Sequence, residues 1–510
     1  VLGWNTREPV ASMKPGYALI YDNVVTEGGD TRQRRGWASH ATGLGARVDG
    51  LLPWTGAGSS EKLFASAGTA IYECTSAGAV GAAAVSTLTS ARWDSINFAA
   101  SGGNFLFAWN GTNTERTYDG STWATWSATG LTGRTIWAGS FKGRMFAGTS
   151  GRLSFYYGGA GAIAGAFTEF PFQGIARRGG SVVAFATLSG DNGDGPDDLA
   201  VFITSEGEAI VYAGTDPSSA TTWALVGRWE LPRPLGAPHR CVMRWGGDAL
   251  YLSDQGVIPL SAFRSGMTTD HAMEKYALTR NIEPTWRALA SERRSSSGWG
   301  MCGMARYGLV AINTPWSATA AQQIVISENG AVSRWAGAPA AVWCEALGGG
   351  IYFGDITSAG RVMRYGESNS DAGSGVRFEA MTAFNALRGP GRWKQATQAQ
   401  PILRDAQGSE FSVAALPDWT VPTAQMVALG ATATAPALPA YVGGSAIGVF
   451  DVGTFDVSIF GGGEGGVTMP WRGATGIGQA FALRMRGIGG NGRPAWLGSN
   501  LVYQTGGPTR

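Results

Sequence analysis

Three histidines, His40, His239 and His271, stand far apart and in different contexts, so neither a metal site nor a nucleophilic triad can be assembled from their spacing. The four cysteines, Cys74, Cys241, Cys302 and Cys344, are scattered and form no C-x-x-C pair. Each sits in an apolar stretch and reads as a buried free thiol. Asp191-Asn192-Gly193-Asp194-Gly195-Pro196-Asp197-Asp198 has the composition of a calcium loop. It lacks the D-x-D-x-D-G spacing and the closing glutamate, and reads as a solvated loop.

Thr117-Tyr118-Asp119-Gly120-Ser121-Thr122-Trp123 approaches an Asp box, S-x-D-x-G-x-T-W, but lacks the residue between Asp and Gly and does not recur in register. An Asp-Gly turn beside a packed Trp123 accounts for it. A glycoside-hydrolysing carboxylate pair would have to converge from distant loops. No G-x-S-x-G, H-E-x-x-H or G-x-x-x-x-G-K-[ST] is present. The expectation is a protein that is not an enzyme, with no catalytic, metal-ligating or cofactor-binding residue.

The elements that would position any site repeat one phrase: an apolar run, a Gly- or Asn-containing turn, and a second run ending in an aromatic or Arg. Seven copies begin at Leu63, Phe105, Arg144, Leu199, Ala249, Leu309 and Ile351, at intervals of 42, 39, 55, 50, 60 and 42. A period of this size with several short strands per unit marks a β-propeller of about six to seven irregular blades. The pairs Asn110-Gly111 and Asn329-Gly330 favour tight hairpins.

The chain has 510 residues, 44% apolar and 15% charged, with 78 Gly and 20 Trp. That composition suits an all-β protein with many turns and excludes disorder, which needs low hydrophobicity and high charge. The net charge of +2 carries no nucleic-acid footprint. Arg outnumbers Lys 34 to 5; a GC-rich coding bias and Arg-rich interfaces both fit. No basic start followed by an apolar run opens the chain, and no run of 18 apolar residues occurs, so neither a signal peptide nor a membrane span is expected.

Three regions follow. Residues 1–47 are a β segment lacking the repeated phrase, with a kink at Asp22-Asn23, a turn at Gly28-Gly29 and an Arg-rich run, Thr31-Arg32-Gln33-Arg34-Arg35-Gly36-Trp37. Residues 48–366 are the propeller. Near 268–290 it carries a helical insert that Thr269 and Asp270 can cap and that Pro284 breaks or restarts; the insert is expected to cover one face. Residues 367–510 are a second all-β unit opening on a polar linker, with a long Ala-, Pro- and Gly-rich loop at 420–450. The two terminal segments need a partner sheet and are expected to join into one platform.

Three parts together resemble the tail nozzle (tail tubular protein B-like) proteins of short-tailed bacteriophages. One runs Gly3-Trp4-Asn5-Thr6-Arg7-Glu8-Pro9, Met13-Lys14-Pro15-Gly16-Tyr17-Ala18, Leu19-Ile20-Tyr21-Asp22-Asn23 and Thr31-Arg32-Gln33-Arg34-Arg35-Gly36-Trp37. The second is Glu328-Asn329-Gly330-Ala331-Val332-Ser333-Arg334-Trp335 with Gly349-Gly350-Ile351-Tyr352-Phe353-Gly354. The third is Lys394, Trp471-Arg472-Gly473, Gly476-Ile477-Gly478 and Tyr503-Gln504-Thr505-Gly506-Gly507. The resemblance implies a structural virion protein: a subunit of a homohexameric ring that extends the tail tube and forms the channel for DNA ejection. Its implied partners are other copies of itself, a head-to-tail adaptor, tail fibres or spikes, and phage DNA passing without sequence-specific binding. Assembly in the host cytoplasm is implied, without membrane insertion. The alternative is a carbohydrate-binding or carbohydrate-active propeller acting as a receptor-binding tail component.

On the nozzle reading the lumen should be poor in cations, because each Lys or Arg contact strengthens phosphate binding. The candidate channel-lining residues are Gly443, Gly444, Gly461, Gly462, Gly463 and Glu464. Arg32, Arg34 and Arg35 are the candidate subunit-interface residues, with Arg177/Arg178 and Arg293/Arg294 also facing neighbours or solvent.

Overall fold

The computed structural model describes residues 1–189, 198–264, 268–406, 408–421, 467–490 and 492–508. The protein is all-β. Strands dominate, and the α-helices among the described residues are Thr269–Tyr276 and Glu283–Arg293. The chain divides into two units. One comprises Val1–Ala38, Gln322–Ala338 and Tyr365–Arg510; the other comprises Ser39–Ala321 and Pro339–Arg364.

The second, larger unit is a succession of small antiparallel sheets. The first is Val48–Thr55, Glu61–Ala67 and Ala70–Glu73; the second is Asp94–Ala100, Gly103–Trp109, Arg116–Tyr118 and Trp123–Thr125. The third is Thr135–Phe141, Arg144–Thr149, Ser154–Ala160 and Thr168–Pro171, and the fourth Val182–Leu188, Leu199–Thr204, Glu208–Gly214 and Trp223–Glu230. The fifth is Val242–Trp245, Asp248–Ser253 and Gly256–Pro259. The hairpin Gly300–Met304 with Leu309–Ser317 stands sixth. Ala340–Ala346, Gly350–Asp355 and Val362–Tyr365 form the seventh.

The first strand of each sheet touches the first strand of the next, and that of the seventh returns to that of the first. Both faces of each middle strand are buried, which is why these strands read as continuous apolar runs rather than as an alternation. The cores lie between consecutive sheets. Phe146 and Phe155 of the third meet Phe202, Tyr212 and Trp223 of the fourth, with Phe155 and Phe202 stacked at 4.4 Å between centroids. Truncating Phe202 to Ala would cost about 3–5 kcal/mol.

The helical insert packs Ala272 and Met273 onto the fourth and fifth sheets. Its N-cap is Thr268, whose hydroxyl accepts from the His271 amide, one residue before the expected caps Thr269 and Asp270. Pro284 sits in the first turn of the second helix, where its missing N–H leaves no helical bond unmade. Trp286 of that helix is buried and donates its indole N–H to the Ser253 carbonyl.

The other unit weaves the two ends of the chain together. Tyr17–Asp22 runs antiparallel to Arg377–Thr382, which continues into Phe481–Ile488 and Glu410–Pro417. On the other side of Tyr17–Asp22 lie Gly3–Trp4 and then Val332–Trp335. A second sheet runs Val24–Glu27, Asp30–Gln33, Ala495–Pro508, Arg392–Arg404, with Arg472–Gly478 against the far side of Arg392–Arg404. Asn23, at φ 54°, ends one strand and starts the next at the expected kink.

The boundaries differ from those expected from 48–366. Ser39 to Arg47 and Gln322–Ala338 change sides. Ser39–Thr42 carries Ala41 into the core that holds Val48 and Val362. Val332–Trp335 instead meets Gly3 and Asp22, because Arg334 there pairs with Asp22.

Candidate functional site

In the unit built from the chain ends, Arg34 is 1% exposed and holds Asp371 with two hydrogen bonds and the Ala336 carbonyl with a third. Its charge is used inside the unit, so Arg34 is not available at a subunit surface. Arg32 is partly exposed and lies 3.6 Å from Asp405 and 4.0 Å from Glu27; Arg35 is half-buried and acts on Glu27 electrostatically. Arg493 also grips Glu27. Burial pushes the Glu27 carboxyl up, but Arg493, Arg35 and Arg32 together hold it below its ordinary value. The candidate channel residues Gly443, Gly444, Gly461, Gly462, Gly463 and Glu464 lie outside the described residues, as does most of the 420–450 loop.

The same unit presents one outward sheet face with few charges. Gln395, Gln398 and Gln400 of Arg392–Arg404 lie beside Thr475 and Ile477 on one flank and Asn500, Val502 and Gln504 on the other. Ile477 is 62% exposed, with Trp471 and Val502 also exposed. Behind this face Lys394 is 1% exposed, and its ammonium donates to the carbonyls of Gly389, Arg392 and Gln479.

In the sheet-array unit, charged residues gather where the first strands begin. Arg240, just before the fifth sheet, donates from Nε to Asp94 at 2.7 Å, and from Nη2 to the carbonyls of Asp49 and Trp93. Asp94 opens the second sheet and Asp49 lies at the start of the first. The neighbouring His239 donates its backbone N–H to Val183 of the fourth sheet, and its ring meets Trp109 edge to face at 5.0 Å. Arg240 and His239 therefore tie together strand starts that the chain separates by up to 191 positions. Arg47 pairs with Asp49 at 2.7 Å, and Arg92 completes the cluster.

Burial raises the Asp94 carboxyl, but Arg240, His239 and Arg92 outweigh it and hold the group below its ordinary value. Burial lowers the His239 imidazole, and Arg240 and Arg92 lower it further against the pull of Asp94. Sequence reading passed over this cluster, although a signal was there: Arg47-Val48-Asp49 and Arg92-Trp93-Asp94 repeat R-x-D one sheet apart.

The remaining expected residues fall as follows. His40 bonds the Cys74 carbonyl, His271 lies on the helical insert, and the three histidines form no common site. Asp119 accepts from the amides of Ser121 and Thr122, which hold its carboxyl far below the ordinary range, while Trp123 packs on Phe64 and Tyr118. Of the Asp191–Asp198 loop only Asp198 lies within the described residues, paired with Lys142 at 2.5 Å. Among the described residues no group of three His, Cys, Asp or Glu side chains could hold a metal ion. No helix there is long and apolar enough to cross a membrane. The four cysteines are free; Cys344 is half-buried rather than buried.

No family model matches the chain, and no curated protein matches it. Among solved structures it is similar to Raptor of Chaetomium thermophilum, at 13% identity and TM-score 0.38, over 66% of this chain and 29% of that one. It is also similar to the computationally designed Ika8 protein, at 8% identity and TM-score 0.36, over 64% of this chain and 99% of that one. A third is BBS1N in complex with ARL6DN, at 12% identity and TM-score 0.26, over 39% of this chain and 60% of that one. The chain spans less than two thirds of the Raptor and BBS1N chains.

Proposed function

We propose that this protein is a structural subunit of the tail of a short-tailed bacteriophage, assembling with copies of itself into a nozzle ring around the path of ejected DNA. One observation carries the reading. The three stretches that resemble nozzle proteins are distant in the chain, yet residues from each serve one unit. Asp22 of the first pairs with Arg334 of the second, and Asn23 accepts from Arg34 and from the Ala336 amide. Lys394 and the strand Arg472–Gly478 of the third form the second sheet there, which the strand Asp30–Gln33 of the first joins. A pattern whose scattered residues converge is expected of one inherited design, not of chance matches.

On this reading the sheet array is a seven-bladed propeller. Support comes from the round of first-strand contacts and from the Arg240 cluster, which links starts of non-neighbouring sheets. Ring assembly is supported by the sheet face with few charges, since a closed ring buries one surface of every copy against another. The test is the mass of the purified protein in solution together with class averages by electron microscopy. A closed ring with a central opening is expected; a monomer or trimer that binds glycans would overturn the reading in favour of a receptor-binding propeller.

A further inference from the structure

In the unit built from the chain ends, the strand Arg392–Arg404 lies between Arg472–Gly478 on one side and Ala495–Pro508 on the other. The strand Asp30–Gln33 covers Ala495–Pro508 only at Ala495 and Trp496. From 497 to 508 that strand has no further neighbour among the described residues, and residues 473–478 have none on the side away from Arg392–Arg404. Rows of backbone N–H and C=O groups are thus left open on opposite edges of one sheet. Open edges are usually guarded by charge or proline. The edge strand Glu410–Pro417 of the neighbouring sheet carries Glu410 and Pro417 at its ends, and the edge strand Val24–Glu27 ends in Glu27. Residues 473–478 and 497–508 hold no charged side chain, and proline stands there only at Pro508. Ile477 and Val502 are exposed on them.

An unguarded edge is a template for another strand. Head-to-tail association needs two different surfaces on each copy, turned to opposite sides, and the two edges of one sheet are such a pair. Both edge strands run antiparallel to Arg392–Arg404, and therefore parallel to each other. We propose that residues 497–508 of one copy pair in parallel with residues 473–478 of the next copy, so that one sheet runs on from copy to copy. Parallel is the sense that rotation into a ring dictates, since every copy presents its strands in the same direction. Pairing of 497–508 with the same stretch of a second copy would be antiparallel, would stop at a dimer and would leave 473–478 open. The inference rests on the ring reading above and adds which backbone edges close the ring.

The experiment uses the full chain. Thr475→Cys is combined in turn with Asn500→Cys, Val502→Cys and Gln504→Cys, which covers the register. Within one copy the strand Arg392–Arg404 holds each pair about 10 Å or more apart, two strand spacings. A disulfide bridges Cα atoms no more than about 7 Å apart, so only a neighbouring copy can be linked. Mild oxidation of the assembled protein should give a ladder of dimers, trimers and larger species for at least one pair. The single variants should give none, nor should wild type, whose own cysteines are buried or half-buried. Dimers from any single variant in 497–508 would overturn the proposal, because that edge would then meet its own copy. As a second measurement, Thr475→Lys with Val502→Lys places like charges across the joint and should raise the concentration needed for ring assembly about tenfold or more, with the melting temperature of the subunit unchanged. Rings that form normally in that variant, and that give no ladder with any cysteine pair, would show that another surface closes the ring: this proposal fails and the nozzle reading stands. A wild-type protein that stays monomeric at every concentration overturns both.

Discussion

Arg34 and Asp371 meet along two parallel hydrogen bonds, Nη1 to Oδ1 at 2.9 Å and Nη2 to Oδ2 at 2.6 Å, across 337 positions of sequence. The fork fixes both the distance and the plane of the carboxylate, which a lysine cannot do. Removing either partner leaves the other desolvated. Arg34→Ala and Asp371→Ala should each destabilise their unit by about 3–5 kcal/mol, and Arg34→Lys should recover only part of that. Urea denaturation midpoints measure it; variants within a few tenths of wild type would show that the pair contributes little.

The next residue but one tests close backbone approach. A Cβ on Gly36 would run into the carbonyl and amide of Ser370, backbone atoms that cannot swing aside. Gly36→Ala should therefore lower the melting temperature sharply. Gly28 has φ 58° with nothing near its missing Cβ, so Gly28→Ala should cost only about 1–2 kcal/mol of backbone strain. Equal losses in the two variants would contradict the contact.

His239 predicts a pH dependence. Its folded pKa lies below the ordinary 6.5, chiefly through burial, so the unfolded chain takes up the proton first. Stability from this group is present above pH 6.5 and is lost as pH falls through the folded value. The Asp94 carboxylate, also lowered, loses its contribution only below its unfolded value of 3.8. Between pH 7.5 and 5.5 wild type should lose melting temperature, and His239→Asn, which tolerates the φ of 64°, should lose less. Parallel curves would exclude His239 as the source.

Burial pushes the thiols of Cys74, Cys241 and Cys344 up to about 12, and that of Cys302 well above its ordinary value. Thiolate is the reacting form, so native protein at pH 8 should react slowly with a thiol reagent, and all four cysteines should react after unfolding. A total below four in unfolded, non-reduced protein would reveal pairing.

Deleting Val1–Ala38 strips Tyr17–Asp22 from Arg377–Thr382 and Asp30–Gln33 from Ala495–Pro508. Two sheet edges lose their neighbours, which invites aggregation and proteolysis. Hydrogen exchange should show protection lost in residues 377–382 and 495–506 and kept in the first five sheets. Unchanged exchange at 377–382 would mean the N-terminal strand adds no stability there.

Local chemistry made much of this protein legible in its sequence. Strand middles such as Leu199–Thr204 announce themselves because both faces are buried and every residue must be apolar or small. Turns announce themselves through Gly28, Gly29 and Asn23, whose positive φ favours those residue types. Pro284 marked a helix start because its ring fits only the first turn. Such features depend on neighbours a few positions away. Tertiary structure alone decided which distant groups meet. The Arg-rich run showed charge, but only the fold sends Arg34 inward to Asp371 and leaves Arg32 near the surface beside Asp405. The helix cap is Thr268, while the Thr269 hydroxyl donates to the distant Glu230 carbonyl, and the 322–338 hairpin belongs with the chain ends, where Arg334 pairs with Asp22. The R-x-D repeat could be read, but its mate Arg240 could not: it comes from a sheet three places along, brought there by the packing of sheet on sheet, which no local pattern encodes.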